Sequence, residues 1–233
     1  SVGCALATSL PAFLAFRALQ GAANAFTTPL LVALLASLIP RERLGRALGT
    51  YASFQAAGQA FAPLVGGLMA EWSYRAAFAA NALVALALAL LTSGGRAEAR
   101  PAADWAALRN PALARSAAVA FCNQFASTAV MVLAGLVASD RFGLSAGARG
   151  LVVASFGLAG LLLGRPLGGW AERYGILRVG AVALVALGAS VALVGVAPWL
   201  GALVALVAAA GAGGTGGRIL TNSLAVESTP RNV

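Results

Sequence analysis

Long apolar runs alternate with short polar turns along this chain. Seven runs approach the roughly 20 apolar residues that a bilayer-spanning helix needs: about Phe13–Ile39, Ala47–Met69, Ala76–Leu91, Leu113–Val137, Leu151–Trp170, Val179–Ala197 and Leu200–Val226. The third is short by charge-free count and is expected to begin nearer Tyr74. The runs are continuously apolar, whereas membrane β-strands alternate over about ten positions. Helices satisfy their own backbone hydrogen bonds, which lipid demands. The pattern predicts an all-α, polytopic membrane protein. The one long polar stretch, Thr92 to Pro111, divides three runs from four. It predicts two helical bundles, over residues 1–91 and 112–233, joined by a linker at 92–111. SVGCALATS at the start reads as the end of another apolar span, and no signal-peptide pattern is present. The closing STPRNV follows directly on the last run, so the chain is expected to be a piece of a longer protein.

Composition strengthens this reading. Hydrophobic residues make up 60% of the chain and charged residues 10%, against roughly 25% charged in soluble domains. Mean hydropathy is +0.86. The surface must therefore face something apolar, and the partner implied is the lipid bilayer. The net charge is +9, and all 16 basic residues are Arg. They lie in short clusters between apolar runs, which fits membrane topology rather than a nucleic-acid partner. One side of the membrane receives Arg41, Arg43, Arg46, Arg96, Arg100, Arg109, Arg115, Arg173, Arg178 and Arg231. The other receives Arg17, Arg75, Arg141 and Arg149, while Arg165 and Arg218 fall within spans. The Arg-rich side, with the linker and the chain end, is expected to be cytoplasmic. Trp72, Trp170 and Trp199 sit at segment edges as interfacial anchors do, and Trp105 lies in the linker. Cys4 and Cys122 lie in apolar stretches and read as small buried hydrophobes. With no His and no CxxC spacing, nothing calls for a metal or cofactor.

A weak repeat appears at a shift of 190 residues. Gly21-Ala22 meets Gly211-Ala212, and Pro40-Arg41 meets Pro230-Arg231. Both copies run in the same direction, as parallel transporter halves do. Three motifs then carry a family resemblance. Arg17-Ala18-Leu19-Gln20-Gly21 is similar to an RxxQG motif. Gly58-Gln59-Ala60-Phe61-Ala62-Pro63-Leu64-Val65-Gly66-Gly67 is similar to GxxxGPxxGG, with Ala62 replacing a Gly. Gly168-Gly169-Trp170-Ala171-Glu172-Arg173-Tyr174-Gly175 is similar to GxxADRxG, with Glu172 replacing Asp. In this order, they resemble the major facilitator superfamily, nearest to its drug/proton antiporter branch. The resemblance covers essentially the whole chain, from the end of the family's third helix to just past its tenth. It implies two pseudo-symmetric helical bundles, incomplete at both ends. It also implies a proton-coupled secondary transporter moving a small-molecule solute by alternating access, acting as a monomer. The third motif would be the loop between the eighth and ninth helices, with the usual basic pair after it reduced to Arg178.

Each candidate has a plain and a functional reading. Gly58, Ala62, Gly66 and Gly67 flank Pro63 with small residues that let backbones approach, and Pro63 removes a backbone hydrogen bond. This is either tight packing or a bend that seals one half against the other. Gly160, Gly164 and Gly168 recur every four residues, a helix-packing spacing. Arg17 is either an interfacial Arg or, as the resemblance implies for this motif with Gln20 and Gly21, a coupling residue. Glu172 and Arg173 are gating candidates from the loop motif. Arg218, inside the last run, costs about 3 kcal/mol or more at a bilayer centre. It must face a cavity or a partner, or else snorkel. Asn24, Thr28, Gln55, Gln59, Asn123, Gln124 and Asn222 are further cavity candidates. Such polar residues concentrate in four runs, while Ala76–Leu91 and Val179–Ala197 carry only Asn81 and Ser190. The resemblance places those two runs outside, against lipid.

No acidic residue lies deep in a run, so any proton-carrying acid is expected in helices preceding Ser1. A membrane enzyme would need a nucleophile–base pair or metal ligands, and neither is present. A receptor on a transporter-like scaffold stays open. Within transport, the Gly58–Gly67 motif favours export of a drug or metabolite. Arg218 supports the alternative, uptake of a sugar or organic anion.

Overall fold

The computed structural model describes residues 2–23, 41–92 and 111–228, which are helical apart from short turns. In chain order the elements are α1 (Val2–Leu6), α2 (helical over 10–23), α3 (Arg41–Trp72), α4 (Tyr74–Thr92), α5 (Pro111–Asp140), α6 (Ala146–Tyr174), α7 (Ile176–Val194) and α8 (Leu200–Ser228). The linker, Asn24, Thr28 and Pro230-Arg231 lie outside the described residues.

Local sequence accounts for the helix starts. Ser9, Ser73 and Ser145 each accept a hydrogen bond on Oγ from the amide three residues on, opening α2, α4 and α6. This is the N-cap interaction that satisfies an otherwise orphaned helix amide. Pro111 opens α5, a position where its missing N–H costs nothing. Gly175 ends α6 with φ 92°, a conformation that side chains with a Cβ resist.

Five helices are long and apolar enough to cross a membrane: α4 through α8. Each is centred on one of the apolar runs, and α4 begins at Tyr74 as expected. α3, at 32 residues, has the length but not the apolarity of those five. Gln55, Gln59, Pro63 and its glycines dilute it, which suits a helix with polar neighbours. The chain is thus an all-α, multi-pass membrane protein.

The described chain divides into two compact units. The first comprises Ser1–Gln55 and Leu68–Ala99; the second comprises Ala56–Gly67 and Arg100–Val233. The middle of α3 therefore belongs with α5–α8.

In the first unit, α1 packs on α4. Phe13 of α2 meets Phe78 of α4 edge to face, with ring centroids 5.8 Å apart. Cys4 is buried, and most of α4 is exposed, including Leu83, Val84, Leu86, Leu88 and Leu90.

The second unit is organised around α8, which contacts α5, α6 and α7. Its core is Val130, Ala134 and Ala138 of α5, Val152 and Phe156 of α6, Leu187 and Val194 of α7, and Leu203, Val207 and Ala210 of α8, with Ala197 from the preceding turn. Glycines let α8 sink into this bundle. A Cβ on Gly211 would collide with the Phe156 backbone. One on Gly213 would lie 2.5 Å from the Ala183 carbonyl oxygen, and one on Gly214 2.8 Å from Ser127 Oγ. Where α5 ends, Arg141 Nη1 donates to the carbonyls of Gly195 (2.9 Å) and Ala197 (3.4 Å), tying the α5–α6 and α7–α8 turns together.

One expectation fails. Cys122 is exposed, not buried. The buried face of α5 runs through Ser116, Asn123, Ser127 and Val130, and Cys122 lies about 100° around the helix from Asn123.

Candidate functional site

The middle of α3 lies close against α6. A Cβ on Gly157 would strike the backbone of Gln59 and Ala60. One on Gly150 would meet the Pro63 carbonyl, and one on Gly67 would lie 2.5 Å from the Ala146 carbonyl oxygen. Gly150 and Gly157 are seven residues apart, two helical turns, so one glycine face of α6 receives α3. α3 continues through Pro63. Pro63 has no N–H to give the Gln59 carbonyl, four residues earlier.

This approach brings Gln59 to Arg218. Arg218 Nη1 donates to Gln59 Oε1 at 3.1 Å, across 159 residues of sequence, and Nη2 donates to Thr215 Oγ1 at 3.2 Å. Thr215 Oγ1 in turn donates to the Gly211 carbonyl at 2.9 Å, one turn back along α8. Thr215, Arg218 and Asn222 follow one another at three- and four-residue spacing, so they share a face of α8. Opposite Thr215, α6 presents Gly160 and Gly164. The guanidinium is thus half-buried within a membrane span, on neutral acceptors only. Among the described residues, no carboxylate pairs with it.

A second polar seam lies on another face of α8. Asn123 of α5 is buried and donates from Nδ2 to the Gly214 carbonyl at 3.3 Å. Among the described residues its buried Oδ1 has no partner, and it faces Gly217. Ser127 and Thr221 are buried along the same seam.

Of the sequence candidates, Gln59 and Arg218 are joined directly. Pro63 and Gly67 hold α3 against α6. Gly58 and Gly66 have no neighbour within 4 Å of an added Cβ. Asn123 lies at the α5 seam, Gln124 next to it is exposed, and Asn222 is exposed one turn beyond Arg218. Gln55, one turn before Gln59 on α3, is half-buried and belongs to the first unit. There too, Arg17 Nη1 donates to Gln20 Oε1 at 3.0 Å on exposed surface, with Gly21 beside them. The expected loop at Gly168–Gly175 is helix as far as Tyr174, and Gly175 alone makes the turn. Glu172 and Arg173 are exposed there, and the Arg173 guanidinium lies 5.4 Å from the Tyr174 ring centroid.

Sequence reasoning missed Thr215, hidden in a glycine run. It also missed Gly150 and Gly157, whose seven-residue spacing was the available signal.

Comparison with known proteins agrees with this architecture. The chain is 35% identical over 97 residues to the drug efflux pump JefA of Mycobacterium tuberculosis, an alignment covering 41% of this chain and 19% of that protein. It is 38% identical over 88 residues to the multidrug resistance protein MdtG of Yersinia enterocolitica, covering 37% of this chain and 21% of that protein. The matched region thus spans about a fifth of each relative's length. No solved structure matches. The family model of the Major Facilitator Superfamily matches residues 1–114 and 116–233, and the chain belongs to that family.

Proposed function

We propose that the protein is a secondary transporter that exports a small molecule across the cell membrane by alternating access, coupled to protons. The observation that carries this reading is the Arg218–Gln59 bond: a charged group held at a helix contact inside apolar spans, where ionisable residues are expensive and mark solute paths. Likeness to proteins named as drug efflux and multidrug resistance proteins supports the export direction. On this reading the protein is a monomer in a bacterial inner membrane, with residues 92–111 and the chain end cytoplasmic. Arg17, Gln20 and Gly21 contribute to coupling, while Glu172 and Arg173 act at the gate.

The test is flux in proteoliposomes containing the protein in its full natural length, under an imposed pH gradient. The panel is ethidium, naphthalene-1-acetate and the neutral naphthalene-1-acetamide. Gradient-driven movement of at least one probe, collapsed by a protonophore, is expected. Flux of none above empty liposomes would overturn the proposal.

A further inference from the structure

We infer that Arg218, aimed by Gln59 and Thr215, recognises an oxyanion: the carboxylate of an amphiphilic solute or the phosphate of a lipid headgroup. This deepens the transport reading by naming the chemistry of its site, and rests on that reading only for the solute being moved; binding stands apart from it.

The argument begins with charge. A guanidinium taken out of water needs an opposite charge or a full set of acceptors. Arg218 has two neutral acceptors, Gln59 Oε1 and Thr215 Oγ1. Its planar fork carries more N–H donors than these two bonds use. Gln59 and Thr215 offer oxygens without charge, so they orient the fork and leave its positive charge uncancelled. Bidentate binding of a carboxylate or phosphate is what such a fork favours.

The surroundings leave room for that ligand. At Thr215 itself the helices pack closely, a Cβ on Gly160 lying 2.6 Å from Thr215 Oγ1, and the contact loosens at Gly164, where a Cβ would lie 3.8 Å from Thr215 Cγ2. One turn further along α6, a Cβ on Gly168 would meet nothing within 4 Å, and Asn222, one turn beyond Arg218, is exposed. The field there is one-sided. Arg165, beside Gly164, is a second cation within a span and is exposed, and Glu172, the acid of α6, lies two turns further on.

The experiment is equilibrium binding of radiolabelled naphthalene-1-acetate to the full-length protein in dodecyl maltoside, a detergent without phosphate, with naphthalene-1-acetamide as the neutral competitor of the same shape. The wild type is expected to prefer the acetate by about tenfold or more, the scale of a charge-assisted bidentate pair. Arg218→Gln should abolish that preference. Arg218→Lys, a point charge without the fork, should bind about tenfold more weakly than wild type. Gln59→Glu keeps Arg218 but supplies an internal carboxylate, and should block the acetate without unfolding the protein. That variant decides the matter if Arg218→Gln fails to fold. Acetate preference surviving in Gln59→Glu or Arg218→Gln would overturn the assignment, as would a wild type that binds acetate and acetamide alike. Adding phosphatidylglycerol separates the two sources. Lost acetate binding assigns the site to lipid phosphate, and unchanged binding assigns it to the solute. Acetate bound with no probe of the panel moved sinks the transport reading alone, and ethidium flux without acetate binding sinks this inference alone.

Discussion

Gly157→Ala tests how the site is built. The added methyl would lie 2.5 Å from Ala60 Cα, where ordinary contact begins at about 3.4 Å, and closer still to the Gln59 backbone. These atoms are backbone, so no side-chain rotation relieves the clash. α3 must retreat from α6 by at least about 0.9 Å, the difference between those distances. If α3 moves as a rod, Gln59 Oε1 recedes from Arg218 by a similar amount. The 3.1 Å bond then passes the 3.5 Å hydrogen-bond limit. Overpacking costs about 1–3 kcal/mol, and losing a bond to a charged group costs about 1.5–3 kcal/mol. Alanine's helix preference over glycine returns about 1 kcal/mol. The net is a destabilisation of about 1.5–5 kcal/mol, or on the order of 3–20 °C in Tm for a chain of this size. Thermal unfolding in detergent, followed by tryptophan fluorescence, reads this directly. Gly188→Ala on α7 is the control. Its Cβ meets nothing within 4 Å, so only the helix preference acts, and Tm should rise by about 2–4 °C. If the two substitutions shift Tm alike, close contact of α3 with α6 does not hold the second unit together.

Three further outcomes follow from the same contacts. Arg141→Ala removes two bonds to the carbonyls of the α7–α8 turn, and should cost about 2–3 kcal/mol, read as a lower Tm; an unchanged Tm would mean that the turns are not tied. Gly175→Ala forces a Cβ into φ 92° and should cost about 1–3 kcal/mol in the same unfolding assay, whereas Gly169→Ala, with open space around it, should not destabilise. Among the described residues, Arg17→Ala breaks only an exposed bond to Gln20 three residues away. Stability should then change by less than about 0.5 kcal/mol, so a loss of proteoliposome flux with unchanged Tm would mark Arg17 as functional.

The spans were legible because each is written in one continuous apolar run. Their ends were less so. α6 begins at Ala146 and ends at Tyr174, beyond the run Leu151–Trp170 at both ends, because a helix carries Arg149 and Arg173 into its polar termini without breaking. α7 stops at Val194, short of Ala197, because the chain turns at Gly195 where apolarity alone gives no signal. Arg218 was legible for the opposite reason, as a charge in an apolar run. Its partner Gln59 was visible as a polar residue, but their pairing depends on how closely α3 meets α6. That distance is set by Gly150 and Gly157, two positions with no side chain to draw attention.

The glycine-rich stretch of α8 and the placement of Arg218 have one physical origin. Gly213 and Gly216 meet α7, and Gly214 and Gly217 meet α5, with Gly211 against α6. At Gly211, Gly213 and Gly216 a methyl group would force the helices apart, and at Gly214 and Gly217 it would displace the Ser127 and Asn123 side chains. Close packing thus uses up two faces of α8 completely. The remaining face, Thr215, Arg218 and Asn222, looks toward Gly160 and Gly164 of α6 and Gln59 of α3. Within the glycine-rich stretch, this is the face that admits a long charged side chain. On the glycine faces a guanidinium would be walled in without acceptors, at the full cost of a buried unpaired charge. On this face it finds two oriented oxygens, with space opening beyond them toward Gly168 and Asn222. The packing that stabilises the second unit therefore also decides where its charge can stand, and a substitution that loosens the glycine contacts should be felt at Arg218 before the unit unfolds.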